Sequence, residues 1–158
     1  MTAPVLSIIT PLYNRAWCIA DCLASIGLKG QPVEMVIVDD GSTDGSVAVA
    51  RAAIADLGLE DQVRVIEQVN AGPSAARNRA AEQARGEWLV FLDSDDLWFP
   101  WTLPHVLQAL PALPEAVDLA FLQGVDFAEV AELARYRPEP VTAVVQDSFL
   151  DLVMHRPK

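Results

Sequence analysis

Four short apolar runs, Val5-Leu6-Ser7-Ile8-Ile9-Thr10, Met35-Val36-Ile37-Val38, Val63-Arg64-Val65-Ile66 and Trp88-Leu89-Val90-Phe91-Leu92, are separated by stretches of helical spacing. Each run is too short for a buried helix, is rich in β-branched residues and is bounded by turn formers, which marks it as a strand. The first is expected to end at Pro11. Between the runs, Arg15 to Ile26 carries Trp17, Cys18, Cys22 and Ile26 at helical intervals and stops at Gly27. Ser46 to Leu57 forms a second, Ala-rich helix, and Ser74 to Ala84 a third, entered through Gly72-Pro73 and left at Gly86. Strand alternating with helix specifies right-handed crossovers and a mostly parallel sheet. The expected class is α/β: a doubly wound, Rossmann-like sheet with helices on both faces. The fourth run is almost continuously apolar, as a strand covered on both sides should be.

Beyond Asp96 the pattern thins. Pro100 to Leu110 has helical spacing, with Pro104 tolerable only in a first turn. Val117 to Val125 is expected to be a strand, Phe149 to Met154 a short helix, and Pro138 to Val141 a loop. A length of 158 residues suits one domain with its own core.

Composition narrows the function classes. With 52% apolar and 21% charged residues the chain is built to fold rather than to stay disordered. Eleven Lys plus Arg against 22 Asp plus Glu give a net charge of −11, which argues against a broad basic surface for nucleic acid. An anionic ligand would instead need a cation, a helix N-terminus or a few placed arginines. No window holds the roughly 18 apolar residues of a membrane span, and the N-terminus lacks a signal-peptide pattern, so a cytoplasmic location without a transmembrane segment is expected. Cys18 and Cys22, four apart with no histidine nearby, are expected to pack rather than to bind metal.

In doubly wound sheets ligands bind beyond the carboxyl ends of the strands. The polar residues collect there: Thr10-Pro11-Leu12-Tyr13-Asn14 after the first strand, Asp39-Asp40-Gly41-Ser42 after the second and Asp93-Ser94-Asp95-Asp96 after the fourth. Three carboxylates within four residues repel one another unless a positive charge sits among them. A divalent ion supplies it, and an all-oxygen donor set selects Mg2+ or Mn2+. A solvated acidic turn is the competing reading, weakened by the strongly apolar strand before it. For Asp39 and Asp40, turn chemistry competes evenly with a hydrogen bond to a nucleotide base or ribose, and Asp44 suits a helix cap. Tyr13 offers a face for base stacking but is equally suited to packing. Arg77 and Arg79 suit phosphate or carboxylate partners, or a wet helix face.

Taken in order, Ser7-Ile8-Ile9-Thr10-Pro11-Leu12-Tyr13-Asn14, Val36-Ile37-Val38-Asp39-Asp40-Gly41-Ser42-Thr43-Asp44, Asn70-Ala71-Gly72-Pro73-Ser74-Ala75-Ala76-Arg77-Asn78 and Phe91-Leu92-Asp93-Ser94-Asp95-Asp96 resemble the family-2 glycosyltransferases of the A-type fold. The similarity runs from Val5 to about Leu110. It implies a single glycosyltransferase-like domain over 1–158, with a nucleotide-sugar-binding core at 1–110 and a partial acceptor side at 111–158. The implied reaction is metal-dependent, inverting transfer from a nucleotide-diphospho-sugar, a UDP-sugar first, to an unidentified glycan, lipid or protein. By resemblance Thr10, Tyr13 and Asp40 face the base with Arg77 beside them, and Asp93 and Asp95 hold ribose and metal next to Asp96. Pro11, Asn14, Asp39 and Ser94 complete the nucleotide-binding candidates, and Asp93, Asp95 and Asp96 are the metal candidates.

The family's general base is an Asp or Glu well downstream of the metal motif. Asp118, Asp126, Asp147 and Asp151 do not stand in that context, so the base is expected beyond Lys158 and the chain is expected to be part of a longer enzyme. Two rivals stand beside this reading: a nucleotide-sugar-binding module without efficient transfer, and a haloacid-dehalogenase-like phosphotransferase. The second normally places Asp-x-Asp after its first strand, not its fourth.

Overall fold

The computed structural model describes residues 3–113 and the backbone of 153–155. In chain order the elements are β1 (Leu6–Leu12), α1 (Ile19–Ile26), β2 (Val33–Asp39), α2 (Ser46–Leu57), β3 (Val63–Glu67), α3 (Pro73–Gln83), β4 (Trp88–Phe91), α4 (Thr102–Ala109) and β5 (Val153–His155), with a 3-10 turn at Leu110–Ala112. The strands form one sheet in the order β3-β2-β1-β4-β5. The first four are parallel, and β5 joins β4 antiparallel.

The order follows from the crossovers. The chain steps from β1 to β2 to β3 in one direction, then α3 carries it back across the sheet to β4 on the far side of β1. Pockets in open α/β sheets lie where the order reverses, here between the carboxyl ends of β1 and β4. The helices divide accordingly. Alternate residues of β1 and β2 (Leu6, Ile8, Leu12, Val33, Met35, Ile37) pack with α1, α2 and α4 through Ile19, Leu23, Ile26, Ile54 and Leu103. Their neighbours Ile9, Val36 and Val38 meet Ala76 and Ala80 of α3 on the other face. Only alanines point inward from the middle of α3, so that helix can lie close on the sheet. Its burial depends on this proximity rather than on bulk.

Several boundaries differ from the sequence reading, each for a physical reason. The first strand continues through Pro11 to Leu12, with Pro11 in register with Val38. The Ile9 carbonyl faces β4, accepting from Leu92 N–H, while the Leu12 carbonyl accepts from Asp40 N–H on the β2 side. Pro11 therefore turns its missing N–H toward β4, beyond the last paired residue Phe91, where no ladder bond is lost. The first helix begins at Ile19, not Arg15: the residues before it form a tight turn closed by the Cys18 amide on the Arg15 carbonyl at 3.1 Å, and the leading Arg15 and Ala16 amides donate to the Ser46 hydroxyl and the Asp44 carboxylate. The Pro100–Leu110 helix is Thr102–Ala109, which puts Pro104 in its first turn. The third helix starts one residue early at Pro73, and the fourth strand ends at Phe91 rather than Leu92. Of the helix expected over Phe149–Met154, Val153 and Met154 lie instead in a strand, Val153–His155, whose backbone pairs with β4, while 149–152 fall outside the described residues. A sheet edge offers hydrogen bonds that local helical spacing does not register. The strand expected at Val117–Val125 and the loop at Pro138–Val141 lie outside the described residues.

At the amino ends of the strands a buried carboxylate ties the sheet to the α3–β4 link. Glu34, 2% exposed, accepts from the Ser7 hydroxyl at 2.8 Å and from the Arg85 backbone N–H, and pairs with Arg85 at 2.8 Å and Arg64 at 3.2 Å. Burial alone would raise its pKa; the Arg85 amide, the Ser7 hydroxyl and the Arg85 guanidinium outweigh that and hold it below the ordinary 4.5. Gly86 lies directly over β1: its N–H donates to Ser7 Oγ, and a Cβ there would stand 2.6 Å from the Ser7 nitrogen.

Two outcomes follow for stability. Gly86→Ala should cost about 2 kcal/mol or more in urea unfolding, because the obstacle is backbone that cannot move aside. Glu34→Gln should cost about 3 kcal/mol at neutral pH by leaving buried donors without their anion. Because the folded pKa lies below the unfolded one, this carboxylate stabilises fully above about pH 4.5, the ordinary value. The gap between wild type and Glu34→Gln should therefore shrink as pH falls through the lowered folded value; a gap that is flat with pH would contradict it.

Candidate functional site

At the carboxyl edge, four loops are joined by polar contacts into a ring. The link after β1 is bound to the link after β2: the Asn14 amide donates to Ser42 Oγ at 2.9 Å, the Thr43 amide to Asn14 Oδ1 at 2.9 Å, the Arg15 amide to Ser46 Oγ at 2.7 Å and the Ala16 amide to Asp44 Oδ2 at 3.0 Å. Asn14 itself has φ 50°, a left-handed conformation that asparagine tolerates better than most residues. Asp44 does not occupy the cap position of α2, which falls to Gly45, but its Oδ1 accepts from the first amide of that helix at Ser46.

Asp40 binds the next loop. It is 3% exposed, and its Oδ1 accepts from Gln68 Nε2 and the Ala71 amide and its Oδ2 from the Gly72 amide, all at 2.8 Å. Burial raises its pKa, but the Gln68, Ala71 and Gly72 donors prevail and keep it ionised below the usual aspartate value. The carboxylate thus fixes the 68–72 segment that leads into α3. Asp39, equally buried, accepts from the Ser42 amide through Oδ2, while its Oδ1 and the Thr10 hydroxyl are buried without a partner among the described residues. The strand registers place Thr10 and Asp39 on the α1–α2 face, and Asp40 turns to the other.

The loop after β4 closes the ring from two sides. Arg77 of α3 pairs with Asp93 at 2.5 Å, and Arg15 pairs with Asp95 at 3.1 Å through its Nε. Ser94 is buried, and its carbonyl receives the Cys18 thiol at 3.4 Å; the Cys22 sulfur lies 3.8 Å from the Asp93 carbonyl. Both cysteines are free and buried, packed beneath the acidic loop. Burial, and then the neighbouring Cys18 and aspartates, push the Cys22 thiol up to about 12. Asp96 keeps its carboxyl above the ordinary aspartate value through burial and the charges of Asp93 and Asp95.

The residues expected at the site are therefore at one edge. The half-buried Pro11 lies near the end of β1, and Tyr13, 47% exposed, and the half-buried Asn14 follow it; Asp39 and Asp40 end β2; Arg77 leans in from α3; Asp93 to Asp96 follow β4. Asp40 and Asp95 are separated by β1 alone in the strand order. Arg15 was not among the expected residues. Its signal was present in the sequence, a cation directly after Tyr13-Asn14 in a strongly acidic chain, but only the fold brings it to a residue 80 positions away.

The acidic loop suits a hard divalent ion in donor type and in charge, since Asp96 is left among negative neighbours without an arginine of its own among the described residues. Within those residues no three Asp, Glu, His or Cys side chains converge into a complete cage. Mg2+ is commonly bound by one or two protein carboxylates with water and phosphate oxygens in the remaining positions, so an incomplete protein donor set is compatible with it.

Among solved structures, the chain aligns with TarS 1-349 of S. aureus in complex with UDP at a TM-score of 0.60 and 31% identity, over 68% of this chain and 32% of that one. It aligns with the mannosyltransferase PcManGT of Pyrobaculum calidifontis, in complex with GDP-Man and Mn2+, at 0.62 and 28%, over 75% and 35%. The fold is that of the A-type nucleotide-sugar transferases. The sequence model of glycosyl transferase family 2 matches residues 7–138, and the chain belongs to that family. Relatives include the uncharacterized glycosyltransferase YibD of Escherichia coli K12, 39% identical over 116 residues (73% of this chain, 32% of YibD). The succinoglycan biosynthesis protein ExoU of Rhizobium meliloti is 37% identical over 134 residues (84% and 39%). The chain thus spans between 32% and 39% of the length of these two curated relatives. Family membership removes the phosphotransferase alternative. Among the described residues no helix is long and apolar enough to cross a membrane.

Asp40→Asn should cost about 2 kcal/mol in chemical denaturation, since one acceptor becomes a donor facing amides. Amide exchange at Ala71 and Gly72 should accelerate at the same time; protection there equal to wild type would show that Asp40 does not hold this loop.

Proposed function

We propose that this chain forms the donor-binding part of a metal-dependent, inverting glycosyltransferase acting in the cytoplasm on a nucleotide-diphospho-sugar, with a UDP-sugar as the first candidate. The supporting observation is the convergence of the post-β1 and post-β4 loops on the reversal point of a family-2 transferase fold. TarS bound to UDP and PcManGT bound to GDP-Man and Mn2+ share that fold.

In this reading the exposed ring of Tyr13 stacks on the base, Pro11 and Asn14 border it, Thr10 and Asp39 support this edge from the α1–α2 face, and Asp40 holds the 68–72 wall on the other. Arg77 lies at the same edge, where its charge favours the anionic donor. Asp95 and Asp96 hold Mn2+ or Mg2+, and Asp93 and Ser94 border the ribose. When bound, the ion neutralises charge on the departing nucleoside diphosphate. Inversion requires an acceptor hydroxyl to attack the anomeric carbon opposite the diphosphate. The bond to the phosphate oxygen breaks, the diphosphate leaves with the electron pair, and the hydroxyl proton passes to a base. No described residue is assigned as that base; Asp118, Asp126, Asp147 and Asp151 lie outside the described residues. The acceptor, a glycan, lipid or protein, is not specified by this edge of the sheet.

Calorimetry with UDP should show at least tenfold tighter binding in Mn2+ than in EDTA, with the gain removed by Asp95→Ala. Equal affinity in both buffers would refute the metal-dependent reading.

A further inference from the structure

Arg15 has no part in the function proposed above, yet its surroundings are among the most constrained at the site. The main chain around it is pinned by the four hydrogen bonds from the amides of Asn14, Arg15 and Ala16, and to Asn14 Oδ1, that stitch it to the β2–α2 link. None of these uses its side chain. The guanidinium folds back over that pinned segment, with Nη1 donating to the Tyr13 and Asn14 carbonyls at 3.4 and 3.3 Å, and presents Nε to Asp95 Oδ2 at 3.1 Å. The root of the side chain is fixed and its tip is half exposed, with 39% of the Arg15 side chain and 41% of that of Asp95 open to solvent. A pair of this kind is weak and exchanges readily, because water screens it.

We propose that Arg15 is the resident counter-cation of Asp95: it orients this carboxylate in the metal-free protein and yields it when a divalent ion binds. The inference rests on the reading that Asp95 is a metal ligand. Three observations support the exchange. The pair spans the sheet's reversal point, bridging the loop after β1 and the loop after β4 while no ligand does. The Asp93 carboxylate is held by Arg77 from a different element, so the pairing of Arg15 with Asp95 is not redundant. Finally, a guanidinium and a divalent cation on one carboxylate repel each other at a few ångströms. Once displaced, the guanidinium is kept at the site mouth by its anchored backbone, where the nearest new anion is the diphosphate arriving with the ion. Arg15 is thus assigned as a positioning residue that competes with the metal alone and favours the metal together with nucleotide.

That assignment predicts effects of opposite sign, which a purely structural role would not produce. Binding of Mn2+ alone, followed by the electron paramagnetic resonance of the free ion, should tighten about fivefold in Arg15→Gln, the order expected when a nearby unit charge is removed from a solvent-screened divalent site. Binding of UDP in saturating Mn2+, measured by calorimetry, should weaken by about the same factor in that variant. Arg15→Lys keeps the charge and should stay within about twofold of wild type in both assays. Since every backbone tie survives these substitutions, circular dichroism should report unchanged folding; should Arg15→Gln unfold, the Lys variant still decides the matter, because a twofold or greater tightening of Mn2+ with the charge retained would overturn the proposal. Mn2+ affinity in folded Arg15→Gln that is unchanged or weaker would also overturn it while leaving the metal site intact. Absence of Mn2+ binding to the wild-type chain, with or without UDP, would overturn both this inference and the metal-dependent reading beneath it.

Discussion

The position of β1 between β2 and β4 is the constraint on which the rest of this structure depends. A central parallel strand hydrogen-bonds on both edges and buries both faces, so its register fixes two neighbours at once. Because the chain leaves β1 toward β2 and returns to it from the other side through α3, the loops following β1 and β4 meet without any helix between them. Every polar contact at the carboxyl edge builds on that arrangement. Asn14 and Arg15 reach the β2 link, Arg15 reaches the β4 loop, Arg77 reaches that loop from α3, and Asp40 ties the segment leading into α3. The result is a closed circuit rather than a set of independent loops.

Two buried carboxylates, one at each end of the sheet, show how the same chemistry serves different ends. Glu34 at the amino edge is saturated by a hydroxyl, an amide and two arginines and faces only the protein. Asp40 at the carboxyl edge is satisfied by a glutamine and two amides, all belonging to a loop that borders the site. Both hold their charge despite burial because hydrogen bonds to the ionised form exceed the cost of desolvation. The first fastens a crossover, whereas the second shapes a wall that a ligand would meet.

The edge must also reconcile a chain of net charge −11 with an anionic donor. The acidic loop is partly neutralised from within by Arg15 and Arg77, which come from separate elements and take separate aspartates. Asp96 stays among like charges, which is where a divalent ion gains most. Cys18 and Cys22 support this loop from below as small, neutral packing groups, with Cys22 held protonated by burial.

The sequence by itself determined the α/β class, the order of the first four strands and helices, and the sheet edge at which the polar residues gather. It could do so because apolar runs ended by turn residues are local signals, and the crossover rule converts them into topology. It also carried the family, since four motifs in fixed order are read without any coordinates. Only the tertiary structure decided which donor meets which acceptor. It carried β1 past Pro11 because the missing amide faces a place where β4 has ended, and it chose Ser46 and Asp44 as the acceptors for the amides of the turn that leads into α1. It made a strand of Val153–His155 and brought Arg15 to Asp95. These outcomes share one cause: each is a hydrogen bond or ion pair between residues distant in sequence, and spacing along a chain contains no record of such a partner.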